Sequence, residues 1–324
     1  MLYPFTFKPV FKEIIWGGTH ILPYKGYSAN MRNIGESWEL SHVAKNFSVV
    51  ANGMLAGTTI DELIKEYGIQ LLGAKVIRQF GTTFPLLIKF IDAHENLSIQ
   101  VHPNEELAQA RYHSFGKTEM WYVIKADPEA FIYSGFSQPI NADEYVRRVE
   151  ENSITDVLQR FEVKEGDVFF VPAGRIHSIG AGCFIAEIQQ TSDISYRIYD
   201  YNRKDMNGNS RDLHIELAKD AINYTDYHDY RMTYTPVPNQ VVPLVQCNYF
   251  TTNLLELDIP QERNFAALDS CIIYVCLEGK ASLRDNQNNE LTVQQGQTVL
   301  IPAETQNITI TPEPQTKLLE TYIS

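Results

Sequence analysis

Cysteine is scarce in this chain, with only Cys183, Cys247, Cys271 and Cys276 among 324 residues and no CxxC pair. All four sit in apolar, strand-like runs, the setting of buried thiols in a reducing compartment, and they support no disulfide framework. Positive charge is also short: 27 Lys and Arg stand against 40 Asp and Glu, for a net charge of -13, and no basic run interrupts the acidic background. Duplex and single-stranded nucleic acid are therefore excluded as partners, and an anionic ligand needs a local cluster of Arg or Lys working against the average field. No apolar run approaches the length of a membrane span, and the opening Met1-Leu2-Tyr3-Pro4-Phe5 lacks a basic stretch leading into an apolar one. The expectation is a soluble, cytoplasmic protein. Walker, GxGxxG, GxSxG and HExxH motifs are all missing, which removes support for nucleotide cradling and for serine or zincin hydrolysis.

What is present is mainly β. Short apolar or alternating runs bounded by Gly, Pro, Asn and Asp recur at Phe84 to Ile91, Leu97 to Val101, Val168 to Val171, Cys183 to Gln189 and Thr298 to Ile301. Helical periodicity interrupts them in three places. Thr59 and Glu62 form a capping box ahead of Ile60, Leu63, Ile64 and Tyr67, with Gly68 placed to end that helix. A second helical stretch is predicted over Ala142 to Phe161, carried at its end by Ile154, Val157, Leu158 and Phe161. Leu213, Leu217, Ala221 and Tyr224 suggest a third.

An internal repeat organises the rest. Gly166-Asp-Val-Phe-Phe-Val-Pro172-Ala173-Gly-Arg-Ile-His177 matches Gly296-Gln-Thr-Val-Leu-Ile-Pro302-Ala303-Glu-Thr-Gln-Asn307, and upstream Trp121 to Ile124 matches Ile273 to Cys276. On that pairing Cys271 takes the place of Glu119, and Asn307 the place of His177. Both copies then read as cupin-like jelly-roll β-barrels with helical insertions in the first. Pro236, Pro238 and Pro243 mark a boundary, giving a metal-binding catalytic domain over 1–238 and a degenerate barrel over 239–324.

The residues that differ between the copies carry the chemistry. In Leu97-Ser98-Ile99-Gln100-Val101-His102, strand alternation puts Leu97, Ile99 and Val101 on one face and Ser98, Gln100 and His102 on the other. Gln100 and His102 then lie about 6 to 7 Å apart at the backbone, near enough to share an ion. With Glu119 and His177 arriving from neighbouring strands, four ligands converge on one metal. Two imidazoles with carboxylate and amide oxygens suit zinc first, then iron, manganese, cobalt or nickel. Taken singly, either histidine fits a hydrogen-bonded barrel residue and Glu119 a solvated charge; the joint loss of Glu119 and His177 from the second copy argues that the scaffold does not need them. Lys117 shares the strand face of Glu119, although an exposed lysine is the commoner case. Arg197 is placed to reach over a barrel mouth or to pair with Asp193 or Asp200. Glu187 faces inward and should be paired, ligating or catalytic, because an unpaired buried charge is costly. Trp16-Gly17-Gly18 and Gly35 to Glu39 read as turns with packing aromatics.

Several segments together resemble the type I mannose-6-phosphate isomerases. They are Pro9 to Gly18, Gly35-Glu-Ser-Trp38-Glu, Pro85-Leu-Leu-Ile-Lys-Phe-Ile-Asp92, Ser98-Ile-Gln-Val-His102-Pro, Gly116-Lys-Thr-Glu119-Met-Trp121-Tyr and Gly174-Arg-Ile-His177. The likeness runs from Pro9 to about Arg203, and the short stretch between Glu119 and His177 is similar to the short bacterial form, which lacks the helical domain of longer members. The resemblance implies one zinc ion held by Gln100, His102, Glu119 and His177. It also implies Arg197 in the active site and Ser98, Lys117, Glu187 and Trp16 lining it. The implied reaction interconverts mannose 6-phosphate and fructose 6-phosphate through an enediolate. Glu187, a zinc-bound hydroxide or another group could then serve as the base, with Glu187 preferred. Two other functions stay compatible with the residues: a non-haem iron cupin dioxygenase built on His102, Glu119 and His177, and a non-catalytic sugar-phosphate sensor.

Overall fold

The apolar runs between turns assemble into three antiparallel sheets in the computed structural model, which describes residues 2–28, 31–204 and 208–323. A seven-stranded sheet runs in the order Arg231–Met232, Val168–Val171, Glu119–Ala126, Cys183–Gln190, Leu86–Ala93, Val10–Gly18 and Ile34–Leu40. A five-stranded sheet faces it, ordered Tyr196–Tyr199, Ile99–Val101, His177–Ile179, Phe131–Phe136 and Leu158–Glu162. Trp121, Val123, Phe169 and Ile185 from the first meet Ile132 and Ile179 from the second in one interior cluster. Each such side chain contributes about 1.5–3 kcal/mol by leaving water, enough in sum to fix the two sheets face to face. The jelly-roll expectation holds, with one difference: the sheets form a sandwich, and no closed barrel is found among the described residues.

The third sheet, of nine strands, gathers the C-terminal repeat around the long strands Ile272–Asp285 and Asn307–Ile323. The N-terminal strand Phe5–Lys8 joins it, Phe5 standing opposite Leu300. Ile88, Phe90, Met120 and Ile188 on the outer face of the seven-stranded sheet pack with Ile273, Val275, Leu300 and Leu319, so the two lobes share a core. Helices Ala142–Glu150 and Ile215–Ala221 cover the outer face of the five-stranded sheet, Tyr145 and Ala218 packing with Ile99, Val101 and Tyr196. No helix among the described residues is long and apolar enough to cross a membrane.

Strand register corrects the repeat alignment by one residue. Val171 pairs with Glu119 in the first lobe and Ile301 pairs with Ile272 in the second, so Ile272, not Cys271, holds the place of Glu119. The faces agree: Ile272 points into the second lobe's own core, whereas Cys271 points into the core between lobes. A one-residue slip in a strand turns every side chain to the opposite face, which letter matching cannot see. The same register aligns Glu187 with Glu320. Glu187 stands opposite Trp121 and Lys89, and Glu320 opposite Tyr274 and Asn253.

Three local expectations also shift. The Thr59 capping box forms, with Glu62 N–H donating to Thr59 Oγ1 at 3.2 Å, but Gly68 kinks the helix Ile60–Leu72 rather than ending it. The predicted 142–161 helix stops at Glu150, where Asn152 adopts a positive φ of 55°. Ile154–Val157 is one 3₁₀ turn, and Leu158–Glu162 pairs with Phe131–Phe136, so ladder bonding overrides a pattern with helical spacing. Ile99 and Val101 do share the helix-covered face, but Leu97, ahead of the regular strand Ile99–Val101, turns inward to the sandwich core.

Candidate metal centre and adjoining cavity

Three strand ends bring the site together. Glu119 opens its strand opposite Gln189 and Val171, His177 opens its strand opposite Gln100, and His102 follows Ile99–Val101 directly. His102, Glu119 and His177 are all buried, and one ligand atom from each lies within 4.8 Å of the others. Both rings are held from behind. His102 Nδ1 is 3.0 Å from the Ile194 carbonyl and His177 Nδ1 is 2.8 Å from the Arg175 carbonyl. A carbonyl only accepts, so each Nδ1 carries the proton and each Nε2 is an unprotonated acceptor turned to the centre.

Burial pushes both imidazoles below their usual pKa, His102 to about 4 with the Lys117 ammonium adding to the effect. Burial alone would raise the Glu119 carboxyl, but Lys117 and His102 outweigh it and hold the group well below the usual carboxylate range. The centre thus consists of two neutral imidazoles and one carboxylate. Glu119 Oε1 is buried without a hydrogen-bond donor, and His177 Nε2 lies 3.4 Å from it. Two acceptor atoms facing each other in a dry interior are unfavourable without positive charge between them. The donor set and its orphaned oxygen therefore fit a divalent ion. Gln100 Nε2 is 3.3 Å from His177 Nε2, and turning the amide over would put its oxygen at the same place. Lys117, expected to be exposed if it had no role, is buried and donates to Glu119 Oε2 at 2.5 Å and to His102 Nε2 at 3.0 Å.

Above the centre opens a cavity of about 290 Å³. Trp16, Ser98, Gln100, Lys117, Glu187 and Arg197, all singled out in the sequence, line it together. Trp16 is kept there by Gly35, where a Cβ would lie 2.6 Å from Trp16 Cζ3. Arg197 stands opposite Gln100 in the strand ladder and its Nη1 donates to the Asp212 carbonyl at 2.8 Å. Glu187 accepts from Trp121 Nε1 at 2.9 Å, while its Oε1 lies 3.2 Å from Lys89 Nζ as an ion pair without a hydrogen bond.

Lys89, Glu36, Trp38 and Arg211 also line the cavity; Glu36 and Trp38, which read in the sequence as part of a turn, lie on the strand Ile34–Leu40, and none of the four carries a site role in the sequence reading. Burial disfavours the Lys89 ammonium, yet Glu36 and Glu187 more than reverse this and raise its pKa. A lone lysine inside Leu86-Leu-Ile-Lys89-Phe-Ile91 was the available signal, since an apolar strand does not bury an amine without a partner. His94 and His113 are exposed, as expected of histidines outside the centre.

A two-lobed cupin with one candidate metal centre under a small polar cavity is the class that this fold and site define. Residues 5–131 match the family model for the phosphomannose isomerase type I catalytic domain, and residues 241–321 match that for the mannose-6-phosphate isomerase cupin domain. The mannose-6-phosphate isomerase ManA of Bacillus subtilis is 38% identical over 251 residues, 76% of this chain and 78% of that one. A Streptococcus mutans mannose-6-phosphate isomerase is 38% identical over 222 residues, 68% of each chain. The crystal structure of a Bacillus subtilis mannose 6-phosphate isomerase superimposes with a TM-score of 0.87 at 32% identity, covering 98% of this chain and 99% of that one. This chain belongs to the type I phosphomannose isomerase family.

Proposed function

We propose that the chain interconverts mannose 6-phosphate and fructose 6-phosphate, with one zinc ion bound by His102, Glu119, His177 and Gln100. The observation that carries this reading is the convergence of two unprotonated imidazole nitrogens and a carboxylate with an undonated oxygen beneath a cavity of about 290 Å³. His102, Glu119, His177 and Gln100 would hold the ion, which when bound would supply Lewis-acid stabilisation to the sugar oxygens where negative charge accumulates.

The chain's own residues supply the rest. Arg197, half-buried at the cavity wall, and Lys117 offer positive charge to the phosphate or to the enediolate oxygens, in a low-dielectric setting that strengthens both. Glu187 takes the C2 proton and returns it to C1, while the O2 hydroxyl proton passes to O1, so that the C1 aldehyde becomes a hydroxyl and C2 becomes the ketone. Trp121 fixes one of the Glu187 oxygens, and the other has no hydrogen bond to surrender. Trp16 and Ser98 shape the wall against which the sugar rests. The four cysteines, none in a disulfide and three of them buried, suit a cytoplasmic enzyme.

A coupled assay for fructose 6-phosphate formation, run with and without a chelator, tests the reading. Activity should vanish on chelation and return with zinc. Activity indifferent to chelator, or oxygen uptake in place of isomerisation, would overturn it.

A further inference from the structure

The strand Tyr196–Tyr199 ends at Asp200, a buried carboxylate that the isomerase reading leaves without a task. It is gripped by two guanidiniums. Arg211 donates from Nε to Asp200 Oδ2 at 2.8 Å and from Nη2 to Oδ1 at 2.5 Å, and Arg203 Nη2 also donates to Oδ1 at 2.5 Å. The two arginines differ in what else they touch. Arg203 reaches the Asn96 carbonyl and lies 3.6 Å from Glu95, whereas Arg211 lines the cavity.

Arg211 is brought there by its own segment. Arg197 donates its backbone N–H to His214 Nδ1 at 3.0 Å, His214 N–H donates to the Arg197 carbonyl at 2.7 Å, and Arg197 Nη1 bonds Asp212 O. Residues 211–214 therefore lie alongside the strand that carries Arg197, and both guanidiniums border one cavity. Arg197 Nε is buried and has no acceptor. Burial lowers the Arg197 pKa and the neighbouring Arg211 charge lowers it further, as two cations held close together require. In a chain of net charge -13, two guanidiniums bordering one cavity, only one of them paired with Asp200, are an arrangement that a further anion suits.

We propose that Arg211, braced by Asp200, is a specificity-determining residue that binds the substrate phosphate together with Arg197, with Asp200 as its positioning residue. The inference rests on the isomerase reading and deepens it. Asp200 holds the Nε and Nη2 edge of the fork and so fixes the plane of the guanidinium before substrate arrives, which removes the entropy of ordering a long side chain at the moment of binding. The sugar carbons lie towards the metal ligands, because Arg197 neighbours Gln100, and the phosphate lies towards the 211–214 segment.

The test uses R211A, R211K and D200N as purified full-length enzymes with metal content and melting temperature measured alongside. R211A should raise the KM for mannose 6-phosphate at least about tenfold with kcat within threefold of the parent. It should weaken competitive inhibition by inorganic phosphate by a similar factor and leave inhibition by unphosphorylated mannitol unchanged. D200N should show the same KM-weighted pattern to a smaller degree, and R211K should recover part of the loss. An unchanged KM in R211A, a loss confined to kcat, or equal weakening by phosphate and mannitol would overturn the proposal. Calorimetric binding of inorganic phosphate to parent and R211A separates the two readings. A parent without isomerase activity that still binds phosphate through Arg211 sinks the isomerase reading alone. An active parent whose phosphate binding ignores Arg211 sinks only this one.

Discussion

Each imidazole of the centre spends its Nδ1–H on a carbonyl and turns its Nε2 to the other two members of the cluster. Replacing His102 or His177 by Ala should therefore lower metal occupancy, by at least about tenfold judged from the smaller effect of outer-shell losses. R197A should instead keep its metal and lose turnover by about a hundredfold, the scale of one lost charge-stabilising donor. Metal analysis beside the kinetics checks both, and full metal retention in the two histidine variants would remove them as ligands. His42 offers a pH test away from the centre. Its Nδ1 accepts from the Phe84 N–H at 3.0 Å and its Nε2 lies 3.3 Å from Asp61, and burial lowers its pKa despite that carboxylate. The folded state thus binds the proton less readily than the unfolded state. Stability is full above the unfolded value of about 6.5 and declines as pH falls below it, by at most about 1.4 kcal/mol per pH unit from this group. Denaturant melts of the parent and H42N at pH 7 and 5.5 should show the smaller drop in H42N. The candidate cluster was legible because the repeat supplied a comparison in which Glu119 and His177 are missing, and because strand alternation put Gln100 and His102 on one face. Arg211 was not, because nothing in Asn209-Ser-Arg211-Asp212 reveals that its segment returns to the strand of Arg197.

Elements were read well where one side of the pattern met solvent and poorly where a ladder decided. The capping box at Thr59 is a local device, and it formed as the letters dictate. Ile154, Val157, Leu158 and Phe161 have helical spacing, but Phe131–Phe136 offered them an open strand edge, and a distant partner of that kind leaves no mark in a short window. The Gly35 strand shows an element tuned to the cavity. Gly35 and Trp16 sit on neighbouring strands, and the missing Cβ is the space into which the indole fits. G35A should force Trp16 off its seat, costing about 1–3 kcal/mol of stability by overpacking. It should also raise KM with a smaller effect on kcat, because the displaced ring borders the cavity rather than the metal ligands. A variant with parental melting temperature and KM would show that the indole is not held by this contact.

At the scale of the molecule, the two lobes do not behave as beads on a string. The strand Phe5–Lys8 begins the chain yet completes the sheet of the last repeat, and the shared core runs between them. Lys25 adds a buried tie: its ammonium lies 2.7 Å from Glu39 and also bonds the Gly296 carbonyl of the far lobe. K25M strands a buried carboxylate and should cost about 3–5 kcal/mol. Thermal unfolding should remain a single transition, since neither lobe keeps its core without the other; two resolved transitions in the parent would contradict the shared core. The register that aligns Glu187 with Glu320 has a practical consequence. Tyr274 Oη donates to Glu320 at 2.9 Å as the Trp121 indole does to Glu187, and Arg263 and Asn253 complete a buried pair with no metal ligands nearby. The protein thus carries its own calibration standard. Neutralising Glu320 reports what a lost carboxylate costs this architecture in folding alone, and subtracting that from the effect of neutralising Glu187 leaves the part that belongs to the reaction.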